Sequence, residues 1–150
     1  MSCLTGFDGK MYYNSASYAS PTWVEIKQVK DVTLTSSTDK IEDSDRGSKF
    51  KKYCTGQIDL EVSANLTYRN NDTIGDAIRN AHINRTDLDI AVMDGDITTS
   101  GTEGFRFNSK VFSHDWQQSI GDVMTVDCTF APTYWHDGSN EVIPYWMTVS

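Results

Sequence analysis

From Ile58 to Tyr68 every second residue is apolar: Ile58, Leu60, Val62, Ala64, Leu66 and Tyr68. The residues between and around them are Gln57, Asp59, Glu61, Ser63, Asn65, Thr67 and Arg69. A period of two marks a β-strand with one dry and one wet face. Strands usually run to about five or six residues, so this one is unusually long, and its wet face is uniformly polar.

The same reading places a short strand at residues 10–14 and a loop at 16–23, where Pro21 interrupts regular structure. A second long strand begins at Trp23 and changes phase near Gln28. Beyond that point Val32 and Leu34 share a face with the stem of Lys30, and Asp31, Thr33 and Thr35 share the other. Further strands are predicted at 88–92 (Leu88, Ile90 and Val92 against Asp87, Asp89 and Ala91), at 105–114, and at 122–131. In the last of these Met124, Val126, Cys128 and Phe130 face inward against Thr125, Asp127 and Thr129, with Gly121 a bulge or turn before them. A turn at 136–140 leads to a final edge strand, since Pro144 cannot donate to a central ladder.

One segment has a different period. Ile74, Ala77, Ile78 and Ala81 recur at helical spacing, and Asn71 or Asp72 can accept from the first free amides, so a helix is predicted over 70–82. Residues 36–52, rich in Ser, Asp and Lys, and the Gly-rich residues 94–104 are predicted as loops. A loop as long as the first is usually functional or disordered. About seven or eight strands and one helix predict a mainly β fold, two packed antiparallel sheets as a sandwich or barrel with the helix on its side.

The length of 150 residues suits one domain with a real core. The formal net charge of −8 disfavours tight binding to nucleic acid or to an anionic membrane. All 13 lysines and arginines lie at or before Lys110, so the rest of the chain offers no cationic surface. The N-terminus lacks the charged-then-apolar pattern of a signal peptide and no long apolar run occurs, which predicts synthesis in a cytoplasm and no membrane partner. Cys3, Cys54 and Cys128 are odd in number and widely spaced, as expected of reduced, mostly buried thiols.

No catalytic, metal or cofactor motif emerges. His114 and His136 each precede an Asp, and His82 stands apart, but adjacent strand residues point to opposite faces. Counted from Asp94, the sixth position of the acidic loop is Thr99, where a calcium loop requires Gly. Sequons at Asn65, Asn71 and Asn84 are chance matches in a chain expected to stay cytoplasmic. Trp23, Trp116, Trp135 and Trp146 are expected in the core or at a subunit interface; a sugar-binding platform is the alternative. Neither enzyme, cofactor nor metal centre is predicted.

Taken in order, "DGKMYYN", "PTWVEIKQVKDVTLTSSTDKIEDSDRGSKFKKY", "GQIDLEVSANLTYR", "DTIGDAIRNAH" and "LDIAVMDGD" resemble the tail tube (major tail) proteins of long-tailed bacteriophages. The strand W-x-E-I-x-x-V-x-D-V-T-L with the acidic D-x-I-E-x-S-x-R segment after it carries most of the resemblance. It implies a structural virion protein in one tail-tube-like domain, assembled as hexameric rings stacked into a DNA conduit. Implied partners are further copies of itself and other tail proteins (tape measure, terminator, baseplate), with DNA a transient, non-specific one.

Carried over by position, Asp31, Thr33, Thr35, Asp59, Glu61, Ser63, Asn65, Thr125 and Asp127 would face the lumen. Asp39, Glu42, Asp43, Asp45, Arg46, Lys49, Phe50, Lys51 and Lys52 would lie on the loop that contacts a neighbouring ring, mobile in the monomer and ordered on assembly. On the same resemblance the chain is expected to depart from longer members, with no appended immunoglobulin-like domain after residue 150. A tube or tail-completion ring protein of a contractile injection system, or an intracellular β-sandwich binding module, are the alternatives.

Overall fold

The computed structural model describes residues 3–135 and 140–150. Its strands are β1 (Lys10–Asn14), β2 (Trp23–Glu25), β3 (Val29–Glu42), β4 (Tyr53–Thr67), β5 (Leu88–Met93), β6 (Glu103–Gln117), β7 (Thr125–Pro132) and β8 (Tyr145–Thr148), and its helix is α1 (Thr73–Asn84). They pair in the order β2-β1-β5-β6-β7-β4-β3, with β8 also on β6, and every pairing is antiparallel. The expected turn at 136–140 falls, except for Asn140, outside the described residues.

β6 joins two halves of this ladder. Its residues 104–109 pair with β5 and 109–117 with β7. One core cluster contains Met11 and Ile90 from the first half, Leu60, Val62, Leu66, Val126, Cys128 and Phe130 from the second, and Phe107 and Val111 from β6 itself. Side chains from both halves can meet only if the ladder folds over on itself. The two expected sheets are therefore halves of one continuous ladder turning about β6. A bulge between Val111 and Ser113 aids the turn and leaves Phe112 projecting, 59% exposed.

α1 closes one side of the core through Ile78 and Ala81, with Ile74 and Ala77 partly buried beside them. Asp72 caps it by accepting from the amides of Ile74 at 3.3 Å and Gly75 at 3.2 Å. Arg85 ends it in the left-handed region at φ 58°.

The alternation along β5 misplaces one residue. Asp89, expected on a wet face, is buried, because Tyr12, Ala91, Met93 and Ile97 form a second apolar cluster on the reverse of β1 and β5. Its charge is met by Arg106, whose Nη2 lies 2.7 Å from Asp89 Oδ2. Arg106 also donates to Tyr18 O at 2.8 Å and Tyr145 Oη at 3.2 Å, and its guanidinium lies 3.8 Å from the Tyr18 ring centroid. Asn14 donates to Asp89 at 3.1 Å. Burial alone would lower the Arg106 pKa, but hydrogen bonding and attraction to Asp89 outweigh it and raise it. This network ties β1, β5, β6, β8 and the loop holding Tyr18 together.

Candidate functional site

Directly opposed residues of an antiparallel ladder share a face, so the registers of β3, β4, β7 and β6 place the polar residues in rows. One row reads Asp31, Asn65, Asp127, Asp115, and the next Thr33, Ser63, Thr129, Ser113. Thr67, Thr125 and Gln117 form a third row, and Thr35–Glu61 and Ser37–Asp59 extend the surface along β3 and β4. All nine residues expected to line a lumen therefore stand on one face of one four-stranded sheet. No lysine or arginine stands in these rows. Lys110 lies at their border, opposite Ala131, and is engaged with Asp87 Oδ1 at 3.2 Å. Asp127 is fixed between two amides, accepting from Asn65 Nδ2 and Gln117 Nε2, each at 2.5 Å.

Ser113, Asp115 and Gln117 belong to this face but escape a strict period-two reading. The bulge at Phe112 shifts the phase of β6, so Lys110 and Ser113 fall on the same side. The signal was the alternation Ser113, Asp115, Gln117 itself, read from its own start. A matching shift between Val29 and Asp31 accounts for the phase change predicted near Gln28: β2 ends at Glu25 and β3 begins at Val29.

The segment 36–52 is not one long loop. β3 continues to Glu42 and β4 starts at Tyr53, so Asp39 and Glu42 are strand residues and only 43–52 form the tip. The strand persists because Thr38–Ile58, Lys40–Thr55 and Ile41–Cys54 still pair after the core has ended. The tip holding Asp43, Asp45, Arg46, Lys49, Phe50, Lys51 and Lys52 is tied by Asp43 N–H to Lys52 O at 2.8 Å and Lys52 N–H to Ser44 Oγ at 3.0 Å. Beyond Leu60 nothing among the described residues packs beneath this hairpin, and Ile58, Ile41, Tyr53 and Phe50 are 73%, 53%, 51% and 80% exposed. Ile58 thus leaves the apolar set that the alternation placed in the core. The hairpin is an arm whose strands alone span about 20 Å beyond Ser36.

Both margins of the four-stranded sheet lack a strand neighbour among the described residues. β3 pairs only with β4, and residues 110–117 of β6 pair only with β7.

The other candidates disperse. Cys3 and Cys54 are exposed and only Cys128 is buried, because Cys54 lies on the arm, away from the core. Burial, helped by Asp127 and Asp115, pushes the Cys128 thiol up to about 12. Cys128 is expected to react on the order of a thousandfold more slowly than the two exposed thiols in native buffer, and equally fast in denaturant; site-resolved thiol labelling by mass spectrometry checks this. Trp116 and Trp146 are 51% and 55% exposed rather than core residues; Trp116 stacks on Tyr68 at 4.9 Å. His82 and His114 meet beneath α1, and His136 lies outside the described residues. Among the described residues no group of three or more His, Cys, Asp or Glu could hold a metal ion, and no helix is long and apolar enough to cross a membrane.

No family model and no curated protein matches the chain. Solved structures do. The SPP1 tail tube superposes with a TM-score of 0.76 at 9% identity, over 99% of this chain and 81% of that one. The chain has the tail tube fold. The same fold recurs in the tail of an empty gene transfer agent (GTA) particle, described with C6 symmetry, at TM-score 0.70 and 12% identity over 87% of this chain and 95% of that one. A chain of the sheath–tube complex of the PVC extracellular contractile injection system superposes at 0.64, with 12% identity over 98% and 93%.

Proposed function

We propose that residues 1–150 form one tail-tube building block, non-enzymatic and structural, whose copies close edge to edge into six-membered rings that stack into a conduit for DNA in a virion tail. The observation that carries this reading is the four-stranded sheet with one polar face, whose rows hold no lysine or arginine apart from Lys110 at the border, held by Asp87, and Lys40 out on the arm, and with two unpaired margins. Strand directions alternate across β6, β7, β4 and β3, so β3 of one copy can meet β6 of the next and keep the ladder antiparallel throughout. Exposed margins of this length otherwise invite disordered association; closing the ring removes them.

Six copies of four strands make a barrel of 24 strands. At the usual strand spacing and tilt its backbone diameter is about 45–50 Å, wide enough for a duplex to pass. Asp31, Thr33, Thr35, Asp59, Glu61, Ser63, Asn65, Thr125 and Asp127 then line the channel, where lysine or arginine would bind phosphates and stall the DNA. Further copies of the chain are the main partner, with tape measure, terminator and baseplate proteins at the tube's ends, after synthesis in the host cytoplasm. A tube within a contractile injection system is the second reading, favoured by the likeness to the PVC chain.

The arm supplies contacts between rings in this account. Its tip carries Arg46, Lys49, Lys51 and Lys52 against Asp43 and Asp45, four positive and two negative charges, on a chain whose net charge is −8, which suits salt-sensitive contacts. Replacing 43–52 by a short Gly-Ser turn removes no core side chain. The variant is expected to fold cooperatively and to stop elongating, as seen by electron microscopy; tubes of normal length would contradict the role.

A further inference from the structure

The junction of α1 with β6 holds a cluster of basic groups that the tube does not use. His82, in the last turn of α1, sets its Nδ1 2.9 Å from Val111 O. A carbonyl only accepts, so Nδ1 carries a proton and donates it to Val111 O. The His114 ring of β6 lies with its centroid 6.1 Å away and its plane within 18° of parallel. One turn back along α1, Arg79 lines the same cleft as His114 and is held by Asp76 at 2.7 Å.

The other titratable groups around the pair offer little compensation. Lys110 and Asp87 are paired with each other at the helix end, and the Arg85 carbonyl accepts from Lys110. Arg69 and Asp72 line the cleft on the side of β4 and the helix start, Asp72 being occupied as the cap. From β7, Cys128 stands directly opposite His114, with its thiol neutral. Asp115 adjoins His114 in β6 but points to the other face.

We propose that this junction is an acid-sensitive latch: α1 stays on the sheet while His114 is neutral, and protonation of His114 beneath Arg79 and His82 drives the end of the helix off β6. Burial disfavours the charged His114, and His82 and Arg79 add to the penalty, so its pKa lies below the usual 6.5. An undocked His114 takes up its proton more readily. The neutral ring's contribution is therefore complete above 6.5 and is lost as pH falls from there through the lowered folded value. The junction adjoins the free margin of β6, so on the tube reading acid would also weaken the joint between copies; the latch itself does not depend on that reading.

Amide hydrogen exchange on the dilute full chain, corrected for the intrinsic pH dependence, tests this. Between about pH 7.5 and about pH 5, protection of α1 is expected to fall about tenfold while β4 and β7 keep theirs. His114→Gln should hold α1 protection constant within about twofold over the same range. Should that variant not fold, His82→Gln removes one of the groups that hold the His114 pKa down, brings it closer to 6.5, and should shrink the loss of α1 protection between the two pH values. Equal α1 protection at both pH values, a loss spread evenly over all strands, or unchanged pH dependence in the variant that folds would overturn the proposal.

Discussion

Asp89→Ala is expected to destabilise the chain by about 3–5 kcal/mol, because it removes one partner of a buried ion pair and strands the other. Arg106 is 6% exposed, and Asp89 is the one carboxylate among its described hydrogen-bond partners: Tyr18 O and Tyr145 Oη are neutral acceptors. Asn14 loses its acceptor as well, which loosens the turn in which Asn14 Oδ1 binds the amides of Ala16 and Thr22, each at 2.9 Å. Asp89→Asn keeps the shape and one acceptor and should cost less. Urea denaturation followed by tryptophan fluorescence measures both; a loss under about 1 kcal/mol for the alanine variant would mean the pair is solvated like a surface one.

Asp59→Lys with Glu61→Lys is expected to leave assembly intact and to cut DNA delivery at least about tenfold, since each lysine near a phosphate adds salt-dependent attraction. The pair moves the charge of each copy from −2 to +2 at these sites, a swing of four repeated in every copy of every ring. Both side chains are exposed, opposite Ser37 and Thr35, and neighbouring Leu60 and Val62 keep their places in the core on the other face. Comparing particle yield by microscopy with delivery by the same particles separates the two effects. Unassembled protein would place these carboxylates in an interface, and normal delivery would contradict a lumenal role.

Most of the fold was legible because its signals are local. The alternation from Leu60 to Leu66, the helical spacing of Ile74, Ala77, Ile78 and Ala81, and the inward set Val126, Cys128 and Phe130 each report which side meets the core, and the structure buries them accordingly. What escaped depends on partners distant in the chain. Asp89 reads as a wet-face residue until Arg106, seventeen positions on, is brought against it. The polar run 36–42 reads as loop because strand pairing without a core leaves no hydrophobic pattern, only the backbone ladder to β4. The phase shift at Phe112 comes from a bulge, which a periodic reading averages away, whereas the shift at Lys30 did show as the phase change near Gln28. The polar face was readable strand by strand, but its assembly into rows, and the contribution of Ser113, Asp115 and Gln117, required the register.

The most direct test of a tube-forming function is electron microscopy of the purified chain, with mass measurement in solution across the accessible range of concentrations. The account predicts stacked rings with six-fold symmetry around an open channel, lost on replacing 43–52. A cooperatively folded protein that stays strictly monomeric at every concentration, in both low and high salt, would contradict it.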